Sequence, residues 1–168
     1  MNYYNEIKTE LINNEITKRV KDYSKNRSDL NTYYNVGKLL SEAGKHYGEG
    51  IIKEYSDRLS SELNIKYSVR TLYKIIKYFN YMNKQKVPTV SAKLSWSHYD
   101  ELLKLTDENI INYYIKITSE QFLSKRQLRE KIKNKEYQRL DDNTKLKLIS
   151  KEKMSIGDTI KNPIIIKN

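Results

Sequence analysis

Apolar residues along this chain recur at three- and four-residue intervals, the spacing that lines one face of an α-helix, and strand-like alternation is scarce. The pattern predicts a helix over about 3–23 with Ile7, Leu11, Ile12, Ile16 and Val20 on its inner face. A second, over about 28–45, carries Tyr33, Tyr34, Gly37, Leu39 and Leu40 and runs into a glycine-rich turn at 44–50. A third, over 51–64, buries Ile52, Tyr55, Leu59 and Leu63, and a fourth opens at Ser68 and continues to about Met82. A break over 83–95 follows, where Pro88 supplies no backbone donor and turns Val87 away from helical geometry. Ser97, with Asp100 three residues on, reads as the N-cap of a short helix over 97–105. Another helix spans 107–119, and an S-x-x-Q capping box at Ser124 and Gln127 opens the next. Beyond Asp141 the periodicity weakens, and the stretch 157–168 is too short to fold by itself. These elements predict an all-α, multi-helix domain over 1–140, followed by a basic extension over 141–168.

Two of the predicted units look alike. The helix over 51–64, a turn at 65–67 and the helix from Ser68 have the lengths of a helix-turn-helix, about 51–82, whose second helix would enter a major groove. At an offset of 56 residues the pattern S-x-R-x-L-x-x-x-I recurs from Ser124, giving a second, similar hairpin over about 107–134. At about 100° per residue, Arg70, Lys74 and Lys77 fall within an arc of about 60° that also holds Tyr81. Val69, Leu72, Ile75, Ile76 and Phe79 lie opposite. Between 70 and 86 the basic residues are Arg70, Lys74, Lys77, Lys84 and Lys86, and none is acidic. Such a strip neutralises phosphates, and Arg70 near the helix start is placed to donate two bonds to a guanine edge. The candidate DNA-binding residues are therefore Lys66, Arg70, Thr71, Lys74, Lys77 and Tyr81, and truncating Arg70, Lys74 and Lys77 is expected to weaken duplex binding without lowering stability. In the second hairpin Arg126, Arg129 and Lys133 share one side and, with Lys125, form a secondary set, while Lys131 intrudes near the buried edge.

Composition adjusts this picture. Lys and Arg number 32 against 21 Asp and Glu, a net charge of +11, but 25 of the cations are Lys. Abundant Lys, Asn, Ile and Tyr mark an AT-rich coding sequence, so the placement of the cations carries more weight than their sum. With no Cys there is no disulfide, thiolate zinc site, iron–sulfur cluster or thiol nucleophile. His46 and His98 lack a second ligand at i+3 or i+4, and the phosphate loop, nucleophile elbow and H-E-x-x-H motifs are missing. No catalytic residue, metal or cofactor is expected, so the chain reads as a non-enzyme. No apolar run approaches a membrane span and the start lacks a leader pattern, so a cytoplasmic protein is expected. The 15 Tyr read mainly as packing, and Trp96 as an anchor between two halves.

Several stretches also carry a family resemblance. Lys93-Leu94-Ser95-Trp96-Ser97-His98-Tyr99, Leu102-Leu103, Tyr113-Tyr114, Ser124-x-Arg126-x-Leu128 with Ile132, and Glu136-Tyr137-Gln138-Arg139-Leu140 resemble the N-terminal domain of the YhcG-like family of bacterial and archaeal proteins. Tyr34-Asn35-Val36-Gly37-Lys38, Tyr47-Gly48-Glu49 and Ser68-Val69-Arg70-Thr71-Leu72 fit in order, so the likeness covers about 18–140. Leu123 departs from it where Trp is usual, and Tyr73 where a helix richer in Met and Arg is common. The resemblance implies a helical, DNA-binding domain that precedes a PD-(D/E)xK-type nuclease domain in full-length relatives. Ile160-Lys161-Asn162-Pro163-Ile164 is similar to the family's K-D-P-Y junction, with Asn162 in place of Asp, so the nuclease carboxylates are expected beyond this sequence. Two other functions suit the same helices: a module that forms a homodimer or holds a partner protein, and a stand-alone regulator of a defence system.

Overall fold

The computed structural model describes residues 1–20, 25–85 and 94–150. The side chain of Val20, the end of the first predicted helix at 21–23, the break around Pro88 and everything from 151 onward lie outside what is described. The described chain is all-α, as the periodicity predicts, and divides into two compact units, Met1–Leu103 and Lys104–Asn168. The sequence places a single domain over 1–140; the division at 103/104 falls within it.

The first unit holds α1 (Tyr3–Val20), α2 (Lys25–Tyr47), α3 (Gly50–Leu63), α4 (Val69–Lys84) and α5 (Trp96–Leu102). Helix α2 is the centre, packing most extensively against α4 and α1 and also meeting α3 and α5. Its Val36, Leu40 and Ala43 share a core with Ile7 and Leu11 of α1, Leu59 of α3, and Leu72 and Ile75 of α4. Where α2 crosses α4 no side chain separates them: a Cβ on Gly37 would lie 2.6 Å from both the Ile75 carbonyl oxygen and the Phe79 Cβ. The Tyr34 ring flanks the crossing, 5.1 Å from that of Phe79. On α1 the inner face is Tyr4, Ile7, Leu11 and Asn14, whereas Ile12 and Ile16, expected inside, are 38% and 56% exposed.

Short polar bonds fix the turn between α3 and α4. Asn64 adopts the left-handed conformation (φ 56°) that ends α3, a geometry its short polar side chain tolerates. The Ser56 hydroxyl then donates to the Tyr67 carbonyl at 2.6 Å, and the Tyr67 N–H donates to the Ser60 hydroxyl at 3.0 Å, pinning the turn onto α3. Ser68 caps α4, accepting from the Thr71 N–H at 3.2 Å.

The N-cap of α5 lies two residues earlier than expected. It is Ser95 rather than Ser97, because His98, not Asp100, closes the box: the Ser95 N–H donates to His98 Nδ1 at 2.9 Å. Trp96 then packs against Tyr33 of α2 and Tyr78 of α4, at centroid distances of 4.6 and 5.6 Å, so these ring contacts lie inside the first unit.

The second unit holds α6 (Glu108–Gln121), α7 (Lys125–Lys133), a 3₁₀ turn (Tyr137–Arg139) and α8 (Asp142–Ser150), where the sequence pattern had weakened. Asp107 caps α6 and the Ser124–Gln127 box caps α7. Ile111, Tyr114, Ile117, Leu128 and Leu140 form its interior. Lys131 at the inner edge of α7 is accommodated by Glu136, which takes both of its short contacts at 3.1 and 3.3 Å.

Candidate nucleic-acid interface

Four residues of α4 are buried, Leu72, Ile75, Tyr78 and Tyr81. They recur every third residue, so the buried stripe turns by about 60° around the helix at each step. By its last member it has crossed into the arc that holds the cations. Tyr81 is therefore an interior residue, 7% exposed, and not part of an outward surface as the fixed-face reading expects. The exposed residues of α4 are Arg70, Tyr73, Lys77, Asn80, Asn83 and Lys84.

Helix α5 lies along the same side of α4 and engages two of its cations. The Lys74 ammonium forms an ion pair with Asp100, each side chain about a quarter exposed. Lys77 donates to the carbonyl of Leu103, the C-cap of α5, where a positive charge also suits the negative end of the helix. Thr71 serves the cap, its hydroxyl 2.9 Å from that of Ser68. Of the six residues expected to touch DNA, Lys66 and Arg70 are exposed and take no part in these contacts; the first lies in the turn before α4 and the second in its first turn.

The outer face of α3 is mixed in sign. Arg58 lies 3.6 Å from Glu54 and 3.8 Å from Glu62, and its guanidinium sits 3.6 Å from the centre of the Tyr4 ring. Lys8 reaches Glu62 at 2.5 Å, and this bond chiefly holds the Glu62 carboxyl below its ordinary pKa. Burial, reinforced by Glu62, pushes the Tyr4 phenol up to about 12. That surface neutralises itself.

The second hairpin has the cleaner cationic face. Arg126, Arg129 and Lys133 are all exposed and fall on one strip of α7, while Leu128 faces inward. Glu130 pairs with Arg126 at 3.5 Å, but both side chains are largely in water, 89% and 62% exposed, where such a pair contributes little. Lys125 is half-buried at the helix start.

Both hairpins thus share a plan of helix, left-handed residue, Ser cap and cation-bearing helix. A family model for the DUF1016 N-terminal domain matches residues 7–139. The chain belongs to this family. It is the family to which the L-S-W-S-H-Y run and its companions point, and the match extends across both compact units. The DUF1016 domain is the N-terminal one, not itself the catalytic one. No match was found among curated proteins or among solved structures. Within this DUF1016 domain, His98 of the L-S-W-S-H-Y run is a structural cap, and Leu123 is buried. Among the described residues no group of His, Asp and Glu is arranged to hold a metal ion, and no helix is long and apolar enough to cross a membrane.

Sequence reasoning missed the roles of Ser56, Ser60, His98 and Glu136. The spacing Ser95-x-x-His98 carried a signal for one of them, since an imidazole nitrogen can accept the cap N–H as a Glu or Gln oxygen does.

Proposed function

We propose that this DUF1016 domain binds DNA, mainly through phosphates, and serves as the accessory module that positions a PD-(D/E)xK-type nuclease domain in full-length relatives. The observation that carries the reading is the strip of Arg126, Arg129 and Lys133 on α7, three exposed cations on one side of a rigidly capped helix. Lys66 and Arg70 at the start of α4 add a second, smaller cationic patch in the position from which a helix-turn-helix reads a groove. Because Lys74 and Lys77 are engaged by α5, the charge available to a ligand is smaller than the net +11 suggests.

The test is a salt-titrated anisotropy isotherm on duplex DNA. Counterion release gives a log–log slope of about −0.9 per neutralised phosphate, hence about −1.8 for Lys66 and Arg70 alone and about −2.7 for the α7 strip alone. Replacing Arg126, Arg129 and Lys133 together by Ala should weaken binding by about tenfold or more and flatten the slope. A salt-independent isotherm, or no binding in dilute salt, removes the proposal. A protein-interaction module is the second reading, supported by a groove lined by Leu11, Ile12, Ile16, Leu63 and Ile65 between α1 and the end of α3. Concentration-dependent mass in light scattering, abolished by Ile16→Asp, would favour it.

A further inference from the structure

A hollow of about 230 Å³ opens on the first unit where the last turns of α2 meet the start of α3 and the middle of α4. Leu40, Ile52 and Ile76 give it an aliphatic lining, and Tyr73, 43% exposed, adds an aromatic one. Gly44 keeps it open. A Cβ there would meet nothing within 4 Å, whereas at Gly37, seven residues earlier on the same side of α2, α4 fills the space. Lys45 and Glu49 also line the hollow, and neither side chain has an ion pair or hydrogen bond among the described residues, unlike Lys74 and Lys77. Arg70, three residues before Tyr73 and therefore its neighbour on α4, is exposed, and Lys66 lies in the turn before that helix.

The hollow is smaller than a drug-sized pocket, about 300–1,000 Å³, and suits one planar ring system lying against Tyr73. A Lys donor and a Glu acceptor in the same lining match the edge of a nucleobase, which carries acceptors and donors side by side. A Leu or Phe of a partner protein would cover the same aliphatic groups but leave Lys45, Glu49 and Arg70 unanswered. Inside a duplex the bases are paired and stacked, so only an unpaired or extruded one can enter such a site. We infer that this hollow receives a single unpaired nucleobase, stacked on Tyr73 and met at its edge by Lys45 and Glu49, with Arg70 and Lys66 on the adjoining phosphates. The inference rests on the nucleic-acid reading above and adds to it the feature that the first hairpin selects, a nucleotide free of its pairing partner.

The experiment uses the full chain and three fluorescein-labelled DNA probes: a blunt duplex, the same duplex with one unpaired nucleotide, and that duplex with an abasic residue at the unpaired position. Each is titrated at several salt concentrations. The parent should prefer the unpaired-nucleotide probe to the other two by about fivefold to a hundredfold, the span of one base–aromatic stack. Gly44→Leu fills the hollow with a residue that favours helix, so thermal melting should show it at least as stable as the parent. Both Gly44→Leu and Tyr73→Ala should bind the three probes alike, with duplex affinity within about twofold of the parent's. A 2-aminopurine at the unpaired position should be quenched by the parent and by neither variant. Equal binding of the three probes by the parent with its salt slope intact, or a preference kept by both variants, overturns the base-binding role and leaves the phosphate-binding proposal standing. Failure of the parent to bind any probe removes both. Self-association of the parent that Gly44→Leu abolishes, with the probe preference unaltered, overturns the role as well and assigns the hollow to a second copy of the chain.

Discussion

The tight crossing of α2 and α4 makes an unusual demand on Gly37. Adding one methyl group there places carbon 2.6 Å from a backbone oxygen and from a Cβ, neither of which can rotate away. Ordinary contact is about 3.5–4.0 Å, so the helices would have to separate by about 1 Å along their largest shared interface. Overpacking of this kind costs about 1–3 kcal/mol, and the rigid neighbours push the cost toward the upper end. Ala also gains about 0.8–1 kcal/mol of helix propensity over Gly, leaving Gly37→Ala about 1–2 kcal/mol less stable than the parent. Gly44 of the same helix supplies the control, because a Cβ there meets nothing within 4 Å. Gly44→Ala should therefore gain about 0.5–1 kcal/mol. For a unit of this size 1 kcal/mol corresponds to about 4–8 °C, so the two variants should melt about 10–20 °C apart, on opposite sides of the parent. Circular dichroism melts of the three proteins read this directly. A Gly37→Ala protein that melts with or above the parent would refute the close approach, and one that matches Gly44→Ala would show that propensity alone governs α2.

Two further outcomes follow from the interior. Burial pushes the Tyr99 phenol up to about 12, and burial also raises Tyr78 and Tyr113. Below pH 10 these groups are protonated in both folded and unfolded chains and the full stability is present. Above it the unfolded chain ionises first, and stability is lost as the pH rises toward 12 and beyond, Tyr99 alone accounting for about 2–3 kcal/mol. Tyrosinate absorbance followed with helical ellipticity should show a late group of phenols ionising together with loss of helix; titration of every Tyr near pH 10 with helix intact would contradict this. Replacing Lys74 and Lys77 together by Ala should lower stability by about 1–2 kcal/mol through loss of the Asp100 pair and the Leu103 bond, contrary to the expectation that this strip is structurally idle. An unchanged denaturation midpoint would free both cations for ligand contact.

The helical framework was legible because its boundaries rest on local chemistry: Ser68 and Ser124, at which the sequence opens two helices, each accept a backbone N–H of the first turn. Burial was less legible where the side chain is amphipathic. Tyr81 reads equally well as surface or interior, and only the path of the buried stripe decides it. Ile12 and Ile16 continue the apolar period of α1, yet the first unit buries Tyr4 and Asn14 on that helix instead. For the cations the missing knowledge was long-range. Nothing within α4 announces that Asp100 and the Leu103 carbonyl, 26 residues further along, will meet Lys74 and Lys77. The α7 strip was readable because its three cations lie on one helix, as does Glu130, the partner of Arg126.

The drift of the inner stripe of α4 has a practical consequence for anyone altering this domain. A helical wheel drawn on the sequence offers position 81 as a harmless place for a polar group and gives no warning about its neighbours. In the folded molecule the permissive sites migrate along the helix, beginning at Arg70 and arriving at Asn80 and Lys84 by its end. A saturation library over 69–84 would consequently draw its tolerated substitutions as a slanting band, and that slant would report the handed path by which α4 is enclosed.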